Sequence, residues 1–419
     1  MSTSLTHDPL RAASELREQL ASDKRRMAFF LGAGTSMAVG VPGIIELTAK
    51  VEEQLPKERK DEFLKVKAAI KGSPNVEDIL NRVRLCRELL DMGTGQEMDG
   101  LSAEASKVLD VAICGAISKI VRANPPGGMR PHVTFAQWLH ALHMTRDCPV
   151  ELFTTNYDLL LEHAMEEAAL PFFDGFVGSV APFFVPESVE ADIGLPAAPP
   201  KCWTRLWKMH GSVGWHLRQG AGGAKSRIAR LTDCSPGAGE ELMIFPSREK
   251  YAASRKLPFL TYQDRLRKFL SAGESVLFML GYSFSDEHLN EIIFQGLRSN
   301  SRLAVAVFAY GDEARANPKT RLILSDALVA YGQAHRNLSI YGPNKAVIGG
   351  IAGDWSEPPR KKREGEVWPF WEADQKRFTL GDFNAFADYL ESYIGFHVVA
   401  PQPPFAPPPA GPQIQEAMR

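Results

Sequence analysis

Short apolar runs, each followed by a longer stretch of helical periodicity, restrict the fold of this chain more than any other feature. Candidate strands lie at 27–31, 150–154, 205–209, 275–280 and 303–310, with a weaker sixth at 338–341. Most are continuously apolar rather than alternating, the pattern of strands covered on both faces. Strand and helix signals in alternation predict an α/β fold on a Rossmann-like, mostly parallel sheet. About a hundred residues separate the first two strands, and 44–55, 57–71, 76–92 and 103–121 within them read as helices. That is too long for one crossover helix, so an inserted helical module is expected at about 44–130.

A chain of 419 residues, 44% apolar and 23% charged, can bury a large core and has room for two or three units. The net charge of −2 provides no global basic field for nucleic acid, so direct nucleic-acid binding is not expected. The first residues lack the apolar centre of a signal peptide and read as a helix within 1–26. Asp8 is its N-cap, Pro9 its first turn, and Leu10, Ala13, Leu16 or Arg17, and Leu20 mark one side. No apolar stretch reaches the eighteen residues of a membrane span, and the expected compartment is cytoplasm. Cys86, Cys114, Cys148, Cys202 and Cys234 are odd in number and scattered. They argue against a disulfide framework and contain no Cys-x-x-Cys pair for zinc.

Composition shifts mark further segments. Residues 216–240 read as a Gly- and Ser-rich loop, and 182–201 as a proline-bounded excursion. From 343 a C-terminal extension is expected, following a core domain at 27–342. It carries a basic run at 360–363 that reads as a solvated loop, and an aromatic cluster of Trp368, Phe370 and Trp371 that reads as core or interface. A helix at 380–394 presents Phe383, Phe386, Ala387 and Leu390 on one face, and a Pro-rich tail comes after it.

The first strand runs into Gly32-Ala33-Gly34-Thr35-Ser36. A Gly-x-Gly at a strand-to-helix turn lets backbone amides approach a pyrophosphate. Met37 stands where a dehydrogenase would want a third glycine or alanine, and no Gly-Lys-Ser/Thr follows for a P-loop. Three more polar stretches sit at the C-terminal ends of predicted strands: FTTNYD at 153–158, LWKMHGSVGW at 206–215 and MLGYSFSD at 279–286. In an open parallel sheet those ends border one ligand crevice. Taken singly, Asn156 and Asp158 read first as a turn pair or helix cap and His210 as an interior histidine. Ser285 and Asp286 read as the cap of the next helix, with His288 solvated and Lys250 exposed.

These residues in this order resemble the sirtuin superfamily, whose signature is a GAG-Ser turn, a Thr-x-Asn-x-Asp stretch, a His-Gly and a later Gly-x-Ser. The resemblance runs over roughly 27–310. Histone-deacylating sirtuins continue the glycine turn as Gly-Ile-Pro-Asp-Phe-Arg and carry a four-cysteine zinc module. This chain has Gly40-Val41-Pro42-Gly43-Ile44-Ile45 and no such cysteines. It looks more like the sirtuin-like NAD-hydrolysing proteins of bacterial antiphage defence.

That resemblance implies NAD as a substrate, with no zinc, cleaved between nicotinamide and ribose. The transition state has oxocarbenium character and the leaving group is already cationic, so positioning and a water are what the site must supply. Asn156 would orient the water or the ribose hydroxyls, and His210 would accept a proton. Gly32, Ala33, Gly34, Thr35 and Ser36 would cradle phosphates, Asp158 would hold a ribose hydroxyl or orient its neighbours, and Gly281 and Ser283 would line the adenosine side. Members of that group are controlled by an appended ligand-sensing domain, an Argonaute-like partner or a HerA-type hexameric ATPase; for this chain a homo-oligomer and the HerA-type ATPase are the expected partners. The alternatives are an NAD-dependent protein deacylase and a non-catalytic scaffold that binds NAD or ADP-ribose.

Overall fold

The computed structural model describes residues 5–93, 95–218, 226–231, 241–244, 258–311, 326–358 and 368–394. Six parallel strands form the centre of a ten-stranded sheet, running across it as Thr204–Lys208, Glu151–Thr154, Arg26–Leu31, Ser275–Leu280, Leu303–Phe308 and Leu338–Tyr341. In chain order that is 3-2-1-4-5-6, the doubly wound arrangement. Phe172–Phe173 adds a parallel strand beyond Thr204–Lys208. On the other side Lys345–Ile348 and Ile351–Trp355 continue the sheet antiparallel, and Thr6–His7 closes that edge. The sheet thus runs past residue 343, where the composition changes.

The first strand explains the layering. Successive side chains of a strand point to opposite faces. Met27, Phe29 and Leu31 enter one core, with helices Pro9–Ala21, Arg130–His143, Leu160–Glu167 and Phe383–Ile394. Ala28 and Phe30 enter the other, with Pro258–Ser271, Glu287–Ser299 and Asp326–Ala334. Asp8 caps the first helix by accepting from the Leu10 amide at 2.9 Å, and Ala13, Leu16 and Leu20 are buried as their spacing implies. Trp368, Phe370 and Trp371 are core residues, packed with Phe378 and Tyr389 in the same cluster.

The segment between the first two long strands folds as helices Ile44–Gln54, Lys57–Ala69, Val76–Asp91 and Ala103–Val121. They share a separate apolar core that includes Val51, Phe63, Val83 and Ile113. Tyr157 from the loop after Glu151–Thr154, Leu160 from the first turn of the following helix and Val213 from the strand Gly211–Arg218 are part of that core and fasten the insertion over the strand ends. Helix Arg130–His143 packs on the sheet instead, with Phe135 and Trp138 edge-on to Phe29 at 5.0 and 5.8 Å.

Of the expected loop at 216–240, residues 219–225 and 232–240 lie outside the described residues, while 216–218 and 227–230 are strand rather than loop. Gly211–Arg218, Arg227–Arg230 and Glu241–Ile244 belong to a second, antiparallel sheet, which Phe183–Phe184 and Phe176–Val177 complete. Strands of four residues between glycine-rich segments carry too little periodicity to be read from sequence. Cross-strand pairing makes them. The excursion at 182–201 supplies Phe183–Phe184 and the short helix Pro186–Glu190. Lys250, the basic run at 360–363 and the Pro-rich tail lie outside the described residues. No described helix is long and apolar enough to cross a membrane.

Candidate active site

Strand order reverses between Arg26–Leu31 and Ser275–Leu280, and ligands of open α/β sheets bind outside the strand ends at such a switch point. A cleft of about 1200 Å³ opens there. It exceeds the roughly 300–1,000 Å³ of ordinary small-molecule sites and has room for an extended dinucleotide. One wall is the strand ends and the other is the helical insertion, which contributes Ile44, Thr48, Glu52 and Glu77.

The glycines at the switch point serve close approach of the two strand ends. A Cβ on Gly34 would lie 2.6 Å from the Gly281 Cα, and one on Gly32 would lie 2.4 Å from the Gly281 oxygen. Gly281 itself has φ +62, and its Cβ would meet the Thr35 nitrogen at 2.6 Å. The amides of Gly32 and Gly34 donate to Leu280 and Gly281 carbonyls at 2.9 Å, and that of Thr35 donates to the Gly32 carbonyl. These amides are committed within the fold. Among the residues expected to cradle phosphates, Ala33 and Ser36 line the cleft, whereas Gly32, Gly34 and Thr35 are not among its lining residues.

Asn156 locks this turn to the next strand. Its Nδ2 donates to the Gly32 carbonyl, Thr35 Oγ1 and Ser36 Oγ at 3.1, 3.2 and 2.8 Å. Ser36 in turn donates to Asp158 Oδ2 at 2.7 Å, while Asp158 Oδ1 accepts from the Leu160 amide at the start of the following helix. Asp158 is buried and both its oxygens are engaged, which makes it a group that orients Ser36 and Asn156. With the Asn156 amide nitrogen turned into the fold, Oδ1 is the acceptor it brings to the cleft.

His210 comes after the strand Thr204–Lys208, just before a turn at Gly211 with φ +88. Its Nε2 donates to the Asp286 carboxylate oxygen Oδ2 at 2.9 Å, and in the neutral ring that bond makes Nδ1 the acceptor nitrogen. Asp286 also caps helix Glu287–Ser299, accepting the Leu289 amide on Oδ1 at 3.0 Å. The expected cap therefore has a second function that sequence spacing alone did not show. Burial opposes its charge, but the His210 hydrogen bond and charge and the Leu289 and His288 amides hold the carboxyl below its ordinary value. Ser283 lines the cleft and shares a hydrogen bond with Ser285 at 2.8 Å, while Gly281 is not among the lining residues.

Sequence reading missed Glu77. It stands in the first turn of Val76–Asp91, where Asn75 accepts the amides of Glu77 and Asp78 and Asp78 bonds back to the Asn75 amide. Tyr157, between Asn156 and Asp158, donates its hydroxyl to Glu77 Oε1. Burial raises the Glu77 carboxyl from an ordinary 4.5 to about 7, with the charges of Asp78 and Asp286 adding to the rise and His210 opposing it. A capping box at 75–78 was legible in the sequence. Its place over the strand ends was not.

Residues 150–331 match the family model described as a SIR2-like domain. That span holds Asn156, Asp158, His210, Gly281, Ser283 and Asp286, and it leaves out the glycine turn and the insertion. Among solved structures the chain is similar to one described as the structural basis of sirtuin substrate affinity, at 14% identity and a TM-score of 0.33, over 71% of this chain and 87% of that one. It is also similar to Sir2Tm bound to a propionylated peptide, at 14% identity and a TM-score of 0.32, over 71% of this chain and 86% of that one. No curated protein matches the chain. Among the described residues, no group of three or more His, Cys, Asp or Glu is placed to hold a metal ion.

Proposed function

We propose that this protein is an NAD hydrolase that breaks the nicotinamide–ribose bond and releases nicotinamide and ADP-ribose. The observation that carries this reading is the convergence, in one dinucleotide-sized cleft at the switch point, of Asn156 anchored through its amide nitrogen and His210 paired with Asp286. The SIR2-like match over 150–331 supports NAD as the ligand. Leaving-group departure needs no strong acid, because the nicotinamide nitrogen is cationic in NAD and neutral once it leaves. Asn156 Oδ1 orients the water or a ribose hydroxyl near the reacting carbon, and His210 accepts a proton as charge develops.

Hydrolysis is favoured over protein deacylation by the segment after Pro42. Where deacylating sirtuins carry Asp-Phe-Arg, this chain begins helix Ile44–Gln54, and the insertion it opens walls the cleft with Ile44, Thr48, Glu52 and Glu77. In this reading NAD depletion is the biological output, an antiphage defence held in check by self-association and a HerA-type hexameric ATPase.

Purified protein incubated with NAD alone tests the enzymology. Rapid nicotinamide release without an acylated peptide is expected, and release only with the peptide would make the protein a deacylase. Unchanged NAD consumption by both Asn156→Ala and His210→Ala would remove the site assignment. Co-purification with a ring ATPase encoded beside it, and loss of phage protection in His210→Ala, test the biological part.

A further inference from the structure

The insertion shares an aromatic and acidic contact with the strand-end loop that goes beyond packing. Glu77 lines the same cleft as Asn156 and His210, opposite the strand ends, and its carboxyl is held by the hydroxyl of Tyr157. Tyr157 is itself buried in the insertion's core, so the position of Glu77 is set by both walls at once. Helix Val76–Asp91 is fixed at this end by the reciprocal Asn75 and Asp78 bonds, which leaves the Glu77 side chain little freedom to leave the cleft.

We infer that Glu77 is a further catalytic residue of this site, the base that takes the proton of the attacking water. This rests on the hydrolase reading above. In the step, the bond from the ribose anomeric carbon to the nicotinamide nitrogen breaks and its electron pair leaves on nicotinamide. The water oxygen bonds to that carbon, and the water's proton passes to the Glu77 carboxylate. The His210–Asp286 pair is then assigned to the ribose hydroxyl, and Asn156 to orientation.

The surroundings suit a base that works near neutrality. His210, Tyr157 and Asp286 face Glu77 from the strand-end loops, and Asp78 adjoins it on its own helix. The packed helices add Glu52 and Glu53 from Ile44–Gln54 and Lys60 and Lys67 from Lys57–Ala69 along the same cleft. Lys67 is tied to Glu52 at 2.7 Å. On the side of Ala103–Val121, Asp110 is closed by Arg84 at 3.0 Å. Burial of Glu77 outweighs the attraction of His210 and sets its carboxyl at about 7.

The test is steady-state nicotinamide release from NAD by the full chain and by Glu77→Gln, across pH 5 to 9, with NAD binding and thermal melting measured on both. The expected result is a fall in kcat of about 100-fold or more, the lower range for a lost general base. KM should stay within about threefold, and the acid limb of the wild-type profile should be lost. A variant with kcat within about threefold of a working wild type overturns the assignment. Should the variant melt early, the unaltered chain still decides. A carboxyl ionises with little enthalpy, so the acid limb should hold its apparent pKa from 10 to 35 °C, whereas a limb that falls on warming assigns the base to an imidazole and overturns the inference. A wild type that binds NAD and releases nothing overturns the hydrolase reading itself, which is a different failure from a wild type and variant that turn over alike.

Discussion

Buried charge occurs at both ends of the strand Glu151–Thr154, and the two ends differ in how much of it is spent. At the N-terminal end, Glu151 accepts from Arg265 at 2.7 and 2.9 Å and from Trp207 Nε1 at 2.8 Å, all three residues being buried. The donors of that cluster meet the acceptors inside the protein, so it fixes helix Pro258–Ser271 to the sheet. At the C-terminal end, Asp158 is similarly enclosed, but Asn156, His210 and Glu77 each turn one face to a protein partner and another to the cleft. A closed network serves rigidity. A half-closed one serves a ligand, because the protein-facing bonds hold the cleft-facing atoms in place before anything binds.

Breaking the C-terminal set should cost turnover and leave the fold. His210→Ala is expected to lower nicotinamide release by about 10²–10⁴-fold, the range for a lost acid–base group, with an unchanged far-ultraviolet spectrum and melting point. A variant that melts early instead would place His210 among the structural residues.

Breaking the N-terminal set should do the reverse. Glu151→Ala leaves the Arg265 guanidinium buried and unpaired, with an expected loss of about 3–5 kcal/mol of stability. Denaturant unfolding measures it. Turnover per folded molecule should hold, and a specific loss of kcat would erase the distinction between the two ends.

Asp286→Asn sharpens the comparison, because Asn is as good a helix N-cap but carries no charge for His210. Turnover is expected to fall by about 10–100-fold, the range for an altered outer hydrogen-bond partner of a functional histidine, with no change in melting temperature.

The smallest effect concerns Glu77 and stability. Its folded-state carboxyl is raised by burial to about 7 from an ordinary 4.5. The stability it contributes is full below the unfolded value and is lost as pH rises through the folded one. Glu77→Gln should therefore raise the melting temperature relative to wild type at pH 8, by on the order of 1–2 °C, and by less at pH 5. An equal shift at both pH values would mean that the carboxyl is not desolvated in the native state. A gain in stability beside a loss of kcat is the trade expected of a group placed for chemistry.

Much of the fold was legible because it depends on local pattern. The apolar runs marked the long parallel strands, and Asp8, Asn75 and Ser102 stand where helices begin. The short strands of the second sheet were not legible, because Phe183–Phe184 or Arg227–Arg230 is stable only when paired across the chain. Within the candidate site, the order of motifs brought Asn156, Asp158, His210, Ala33, Ser36 and Ser283 to one cleft. Spacing could not reveal that Gly32 and Gly34 face Gly281, since the contact joins positions about 250 residues apart along the chain. Nor could it reveal Glu77, whose partner Tyr157 is 80 residues away.

By itself the sequence determined the long parallel strands, the N-terminal helix, the helices of the insertion and the residue types available at each strand end, since periodicity, capping and turn chemistry act over a few residues. Tertiary structure alone decided the strand order that makes a switch point, the backbone contact that demands the glycines, and the meeting of Glu77, Tyr157, His210 and Asp286. Each of those depends on which distant segments desolvate one another, and desolvation belongs to the packed chain rather than to any stretch of it.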